Sequence, residues 1–358
     1  MRKIGVRQIA KLADVSVGTV DRALNGRKGI SESTRKRILT IAETAGYKPD
    51  PAARALSAGR VPVKLGVCLP REIRYYWDEL RHGILVEARR LERLGVQIEW
   101  RSTTRIGLEE VERVSELLDS EIQALLVAPG DPARLTPLID EAEKRDVRVV
   151  CINSDAPASR RSTVVRVDVE TAGKMAAELM SSFVGPKSEV AIVTGSLNIE
   201  AHAKKTENFC ALYSQLSKGG KVVEVIEDHE EEEEAFQKSF ALLQQCKSLA
   251  GVYATTANCL PVCRAICALG LSGKVALITT DLFREMTPFF EKGTIRASIR
   301  QRPFAQGEIA VRLVVDHLVN GRPLPPSYYL APSIVIRSNL YLFRETRETE
   351  GHETRVVA

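Results

Sequence analysis

The sequence lacks the long apolar segments of membrane and secreted proteins. Its apolar runs are all far shorter than the ~20 residues that a membrane-spanning helix needs. The basic start at Arg2 and Lys3 is followed by the polar Arg7 and Gln8, whereas a secretory signal peptide would continue with an apolar core. We therefore expect a cytoplasmic protein that has no membrane partner.

Paired cysteines of the metal-binding type are also missing. The chain has seven cysteines, and none forms a Cys-x-x-Cys pair. Cys259, Cys263 and Cys267 recur at every fourth position without a nearby histidine, whereas a structural zinc site normally has four ligands with paired spacings. Their spacing places the thiols along one helix face, where cysteine packs as a small hydrophobic residue. We predict core packing, with metal or redox sensing as the alternative, and we predict neither a metal nor a cofactor.

Positive charge is concentrated at the N-terminal end of the chain. The formal net charge is +5, and residues 1–60 hold 13 Lys or Arg against 5 Asp or Glu. The remainder is mildly acidic, and 358 residues are enough for two or three domains. A basic head on an acidic body is typical of a nucleic-acid-binding module joined to an unrelated domain. A solvated basic arm would have the same charge, so the pattern within the head must decide.

Three short helices are predicted within this head. Apolar residues recur at helical spacing from Val6 to Ala13, and Ser16 is a suitable N-cap for a second helix over Val17–Leu24. A third helix opens at Ser31, with its basic first turns exposed. Two short helices joined by a tight turn and closed by a third form a helix-turn-helix domain.

These residues resemble the lactose-repressor (LacI/GalR) family. The matching stretches are residues 8–16, 19–25, 33–35 and 46–49. The resemblance implies a transcription regulator, most often a repressor, that acts as a homodimer on double-stranded DNA. Two heads related by a two-fold axis would read a pseudo-palindromic operator.

In that family the second helix lies in the major groove. The resemblance assigns base contacts to Val17, Gly18 and Arg22, and phosphate contacts to Ser16, Thr19 and Asn25. Arg22 is the best candidate for a base reader, because a guanidinium can donate two hydrogen bonds to guanine. Gly18 and Asp21 depart from the longer polar residue and the serine that are usual in the family.

Residues 50–60 have two interpretations. Their composition suits an ordinary interdomain linker, whereas the resemblance implies a hinge helix that folds on operator DNA and pairs with its dimer mate in the minor groove. Ala53 and Leu56 are the candidate DNA contacts there, with Leu56 at the position that wedges between base pairs. A marginal helix that orders only when two heads are correctly spaced would be a switch.

Short apolar strands and amphipathic helices alternate after residue 61. The strand candidates are residues 64–69, 96–100, 124–128, 148–152, 164–167, 189–193, 221–225, 251–254, 275–280 and 333–337. Alternation predicts parallel sheets with right-handed crossovers, arranged as one wide sheet or as two lobes. The resemblance implies two lobes. The expected fold class is therefore an all-α helix-turn-helix head plus an α/β two-lobed periplasmic-binding-protein-like (type I) body with parallel sheets.

The expected domain boundaries follow from these patterns. They are residues 1–49 for the DNA-binding domain, 50–60 for the hinge, 61–343 for the ligand-binding and dimerisation domain, and 344–358 for a disordered tail. The acidic run at residues 230–234 is interpreted as a solvated helix start. Residues 321–326 are interpreted as a surface turn before the last strand.

Ligands of such lobes sit at the carboxyl ends of the strands, so residues that follow strands are the candidate ligand contacts. They are Arg74, Tyr76, Trp77, Asn153, Asp155, His202, Asn258, Asp281 and Gln301. By resemblance, Tyr76 and Trp77 sandwich a sugar ring, although both rings could instead pack the lobe. Asn153 stands where relatives have an acid, and Asp155 is the candidate substitute for that acid. The family's ligand arginine aligns near Ala203, so that His202 or Lys205 would have to replace it.

The expected function is transcription regulation by a small effector, a sugar or sugar derivative, bound between the lobes. Operator and effector would then change each other's affinity by one common factor. The alternative is an enzyme that acts on a sugar-like substrate and carries a DNA-binding head. Against it, GxSxG, Walker, HExxH and dinucleotide-binding motifs are all missing.

Overall fold

A computed structural model describes residues 6–24, 29–45, 47 and 62–343 of the chain. Two compact units divide between residues 61 and 62. The predicted hinge, residues 50–60, and the predicted tail, residues 344–358, lie outside the described residues. Across the described part of the chain, no helix has the length and apolar character needed to cross a membrane.

The head consists of three short helices: α1 Val6–Leu12, α2 Val17–Leu24 and α3 Glu32–Thr44. The predicted N-cap at Ser16 is confirmed, because Ser16 Oγ accepts a hydrogen bond from Thr19 N at 3.1 Å. Ser31, where the third helix was expected to open, is its N-cap and accepts a hydrogen bond from Thr34 N at 3.2 Å. The helices enclose a small core of Ile9, Ala10, Ala13, Val20, Ala23, Ile38 and Ala42. Leu12, the last residue of α1, lies outside this core and is 61% exposed.

The body contains two six-stranded sheets, each flanked by helices. The first sheet contains β1 Lys64–Pro70, β2 Gln97–Thr103, β3 Ala124–Val127, β4 Arg148–Ile152, β5 Thr163–Val167 and β11 Tyr328–Leu330, in the order β11-β5-β4-β3-β1-β2. The second contains β6 Glu189–Thr194, β7 Lys221–Glu227, β8 Leu249–Ala254, β9 Ala276–Thr280, β10 Ile295–Arg300 and β12 Ser333–Val335, in the order β12-β10-β9-β8-β6-β7.

The helices lie between these strands in sequence. They are α4 Arg74–Arg90, α5 Glu110–Leu118, α6 Pro132–Lys144, α7 Val169–Phe183, α8 Glu200–Leu216, α9 Glu232–Gln245, α10 Leu260–Ala268, α11 Thr287–Glu291 and α12 Pro303–Asn320. Short 3-10 helices span Glu92–Leu94, Arg284–Met286 and Arg337–Asn339. Each sheet with its helices forms one lobe, and the first lobe holds the first sheet.

The chain passes between the two sheets after β5, after β10 and after β11, within residues 62–343. The return after β10 lays α12 against α4 of the first lobe. This contact is close because both helices carry a glycine there: a Cβ at Gly83 would lie 2.0 Å from Phe304 O, and one at Gly307 would lie 2.3 Å from Leu80 O. Repeated crossing holds the two lobes together at one edge and leaves a cleft between their strand ends.

Several sequence expectations are corrected by this architecture. β10 and β11 were not predicted, because β10 has an arginine at two of its six positions and β11 has only three residues. The sheets are not wholly parallel, since β12 pairs antiparallel to β10. The predicted last strand also ends earlier, at Val335. The predicted core packing is confirmed for Cys259 and Cys263, neither of which is exposed, whereas Cys267 is only half-buried.

Candidate functional site

The carboxyl ends of both sheets face one cleft, and two open cavities lie there. Their volumes are about 700 Å³ and 650 Å³. The larger is lined by Gly107 and Gly130 of the first lobe and by Ser196 and His229 of the second. Arg105, Glu230 and Glu231 line both cavities.

A buried hydrogen-bonded cluster lies at the strand ends of the second lobe. Gln301, after β10, donates to Asp281, after β9, from its backbone N at 2.9 Å and from Nε2 at 2.7 Å. Lys205 Nζ, on α8, donates to Thr255 O at 2.6 Å and lies 3.5 Å from Gln301 Oε1. Burial raises the pKa of Asp281 to about 6 and lowers the pKa of Lys205 to about 8. Two predicted residues, Asp281 and Gln301, are thus brought together with a lysine.

Tyr76 connects this cluster to the first lobe. Its hydroxyl donates to Asn153 Oδ1 at 2.7 Å and lies 3.5 Å from Nε2 of Gln306 on α12. The same Gln306 Nε2 donates to Gln301 O at 2.9 Å, and Gln306 Oε1 is buried without a partner. Residues from both lobes therefore form one network, which offers an unsatisfied acceptor.

His202 and Asn258 face the loop that follows β7. Asn258 Nδ2 donates to Asp228 Oδ2 at 3.1 Å, while Asn258 Oδ1 is buried without a partner. Ser196 N donates to His202 Nδ1 at 3.3 Å, and His202 Nε2 lies 3.8 Å from Glu230 Oε1. Burial, with nearby Lys205, lowers the pKa of His202 to about 3. The imidazole is neutral, and because Nδ1 accepts a hydrogen bond, its proton is on Nε2 and faces Glu230.

Three predicted residues do not join this network. The side chain of Arg74 is 84% exposed and pairs with Asp78 at 3.4 Å. Asp155 is held by Arg161, whose Nη2 donates to Asp155 Oδ2 at 2.7 Å. Trp77 is 3% exposed, and its ring meets that of Tyr76 edge-on at 87°. Consecutive helical residues point about 100° apart, so these two rings do not form the parallel faces of a sandwich.

The sequence analysis missed other residues at the cleft. Tyr75 stacks on Phe283 of the second lobe, with ring centroids 3.9 Å apart. Glu230 was expected in a solvated helix start, but its side chain is 10% exposed and α9 begins only at Glu232. Asp228 and Glu230 directly follow β7, so the rule that found Asp281 applied to them too. They were missed because the run of glutamates at residues 230–234 was interpreted as a solvated helix start.

Two ion pairs join the lobes across the cleft. Arg105, after β2, pairs with Glu231 of the second lobe and with Glu72 of its own lobe, the latter at 3.1 Å. Arg166, on β5, pairs with Glu200 at the start of α8. The side chains of Arg166 and Glu200 are 8% and 19% exposed. The described structure therefore has its lobes in contact.

The second helix of the head presents the predicted DNA-contacting residues to solvent. Val17 is 47% exposed, and Ser16 and Gly18 are exposed. Ser16 Oγ and Thr19 Oγ1 are 2.9 Å apart, and Arg22 Nη1 donates to Gly29 O at 3.4 Å. The remaining predicted contacts, Asn25, Ala53 and Leu56, lie outside the described residues.

Comparison with known families agrees with this arrangement. Residues 65–323 match the periplasmic binding protein domain, and residues 6–50 match the bacterial regulatory proteins of the lacI family. The chain belongs to the periplasmic-binding-protein family and carries a lacI-family head. The predicted family resemblance and fold class are therefore confirmed, apart from the antiparallel strand β12.

Individual relatives include both regulators and binding proteins. The chain is 26% identical over 207 residues to catabolite control protein A of Priestia megaterium, which is 58% of this chain and 60% of that regulator. It is 21% identical over 276 residues, 73% of this chain and 88% of the relative, to the D-allose-binding periplasmic protein of Escherichia coli. The matched region thus spans three fifths of the length of that regulator.

Solved structures give the same fold. A glucose-galactose binding protein from Geobacillus stearothermophilus superposes with a TM-score of 0.72 and 24% identity. The superposition covers 78% of this chain and 99% of that one. The two-lobed fold of the body is therefore shared with sugar-binding proteins.

Proposed function

We propose that this chain is a transcription regulator that binds DNA sequence-specifically and acts as a repressor. In this proposal a carbohydrate effector controls its affinity for the operator. The observation that carries the proposal is the union of a lacI-family head with a periplasmic-binding-protein body in one chain. Relatives that are named as a regulator and as sugar-binding proteins support both halves. The enzyme alternative gains no support from them.

In this proposal the effector binds between the lobes and changes how they are arranged. Tyr76 and Asn153 would contact it from the first lobe, and Asp281 and Gln301 from the second, since these pairs already share one network. A ligand that contacts both lobes stabilises the arrangement in which both sets of contacts are made. The operator affinity then changes by the same factor as the effector affinity.

Two heads on a homodimer complete the proposal. A pseudo-palindromic operator would present one half-site to each copy of α2, with Arg22 reading a guanine and the segment at residues 50–60 acting as the hinge. The exposure of Val17 and Gly18 beside Arg22 supports this use of α2.

Selection of bound duplexes from a random pool tests the DNA half. We expect enrichment of a palindrome, and Arg22→Ala should relax selection at one base pair of each half-site and weaken binding about tenfold. Arg93→Ala removes an equal charge from an exposed position in the body and should leave the selected sequence unchanged. Failure to enrich any sequence at low salt would contradict the proposal.

Sugars added to the operator complex test the effector half. D-Allose, D-glucose and D-galactose are the first probes, because the similar binding proteins are named for them. A sugar that shifts operator affinity in the parent protein but not in Asp281→Asn would place the effector at the cluster. Release or tightening of DNA would identify it as an inducer or as a corepressor.

A further inference from the structure

Glu230 is a nearly buried carboxylate of the cleft to which no described residue donates a hydrogen bond. Its side chain is 10% exposed and lines both cavities. Among residues 62–343 no donor forms a hydrogen bond with its carboxylate, and the approach of His202 Nε2, at 3.8 Å, is too long for one. A nearly buried carboxylate without a donor costs free energy that a bound ligand can recover.

The cations near Glu230 are already committed to other groups. Lys205 Nζ donates to Thr255 O, and Arg105 pairs with Glu72 and Glu231. Asp228, two residues earlier, adds a like charge and accepts hydrogen bonds from Asn258 and from the backbone N of Glu230. His202 is neutral. Burial and the neighbouring Asp228 raise the pKa of Glu230 to about 8, so near neutral pH the free site holds a proton that a bound ammonium group would replace.

The walls of the cavities carry negative charge. The larger is lined by the carboxylates of Asp131, Glu230 and Glu231 against one guanidinium, that of Arg105. Backbone amides that could have bound an anion there are occupied, because Glu110 accepts from Gly107 N at 2.7 Å, Gly130 N at 3.0 Å and Asp131 N at 3.1 Å. The cavity thus disfavours phosphorylated or acidic ligands and favours cations.

An organic cation fits this site better than a metal ion. No group of three or more His, Cys, Asp or Glu side chains is placed to hold a metal among the residues that the structure describes. One nearly buried carboxylate suits one ammonium group instead. Tyr75 lines the second cavity together with Glu230, and an aromatic ring favours a nearby ammonium.

We propose that Glu230 binds a protonated amine of the effector, so that the effector class is an amino sugar or a similar aminated polyol. This inference rests on the proposed function, since it assumes that the cleft holds the effector. The buried cluster around Asp281 and Gln301 would contact the hydroxyl groups, while Glu230, between His202 and the open cavity, would contact the ammonium group.

Calorimetric titration of the full chain with matched sugars tests the inference. The probes are D-glucosamine, D-galactosamine and D-mannosamine, each compared with its neutral parent sugar and its N-acetyl derivative. In at least one set, the amine should bind at least tenfold more tightly than both neutral members. Glu230→Gln should abolish that preference, so that the amine and its neutral parent sugar bind with similar affinity.

Glu233→Gln is the matched control, because Glu233 lines the second cavity but is exposed and accepts from Gln237 at 2.7 Å. It should keep the preference for the amine. The inference is overturned if no set shows the preference, if no amine binds, or if the preference survives in Glu230→Gln. Tight binding of neutral sugars alone would overturn it and leave the proposed function intact, whereas loss of operator selection would count against the proposed function only.

Discussion

The two sides of the cleft treat a buried carboxylate in opposite ways. On the first lobe, Glu110 is 4% exposed and its carboxylate accepts hydrogen bonds from the backbone N of Gly107, Gly130 and Asp131. On the second lobe, Glu230 is almost as buried and accepts none among the described residues. Burial raises the pKa of both groups, and that of Glu230 to about 8.

This difference indicates that Glu110 has a structural role and that Glu230 has a role in binding a ligand. The Glu110 carboxylate joins the loops after β2 and β3, and it stabilises them by satisfying amides that would otherwise be unpaired. Glu230 stabilises nothing comparable, and its backbone adopts a φ of +58°, which non-glycine residues seldom do. A group that costs stability in two ways is expected where a ligand repays the cost.

Removal of each carboxylate should give the largest difference in stability between the Glu110 and Glu230 sites. Glu110→Ala should lower the free energy of unfolding by about 4 kcal/mol, because it leaves several buried amides without an acceptor. Glu230→Ala should lower it by less than about 1 kcal/mol or raise it. Urea denaturation of the full chain measures both.

Gly130→Ala provides an independent check on the Glu110 site. A Cβ at this position would lie 2.1 Å from Gly107 N and 2.7 Å from Glu110 Oε1, so this variant should be destabilised in the same way as Glu110→Ala. Equal losses in Glu110→Ala and Glu230→Ala would show that the two carboxylates are both structural.

The ion pairs between the lobes extend the comparison. Arg166 and Glu200 are largely buried, and Arg166 also lies over the ring of Tyr329 at 5.7 Å. Arg166→Met should therefore lower the free energy of unfolding by about 3 kcal/mol, since it leaves Glu200 without its partner. Arg105→Met should lower the free energy of unfolding by less than about 1 kcal/mol, because Glu72 and Glu231 are each about half exposed. Thermal unfolding at low and high salt measures the difference, and a greater loss in Arg105→Met would contradict it.

The sequence predicts the fold well where local patterns and burial agree. The bounds of α2, the cap at Ser16 and most strands follow from periodicity and capping. The sequence does not predict β10 and β11, because their stability comes from neighbouring strands in the sheet rather than from their own composition. The antiparallel pairing of β12 is likewise a property of the tertiary structure.

The candidate site is predictable only in part, for the same physical reason. Position after a strand locates Asn153, Asn258, Asp281 and Gln301, because parallel strands bring their ends to one edge. The position of a residue after a strand does not tell whether its side chain already has a hydrogen-bond partner within the protein. Asp155 follows β4 as suitably as Asp281 follows β9, yet Arg161 occupies its carboxylate.

The dependence of stability on pH is the finest test of the contrast. The pKa of Glu230 is about 8 in the folded chain, well above its ordinary value of 4.5, because of burial and of nearby Asp228. The folded state therefore holds a proton between these values that the unfolded state has lost, and stability falls as pH rises from 4.5 to 8. Glu230→Gln removes this loss, so that the free energy of unfolding of the variant, relative to that of the parent, should rise between low pH and pH 8 by about 4 kcal/mol.

Asp228, Asp281, Lys205, His202, Arg105 and Glu72 also face this region and remain in the variant. The variant should thus retain part of the decline, and the measured quantity is its difference from the parent in urea denaturation at pH 5, 6.5 and 8. Glu233→Gln, at an exposed position, should follow the parent at every pH. Parallel curves for Glu230→Gln and the parent would mean that the folded protein does satisfy Glu230, and the contrast with Glu110 would then be lost.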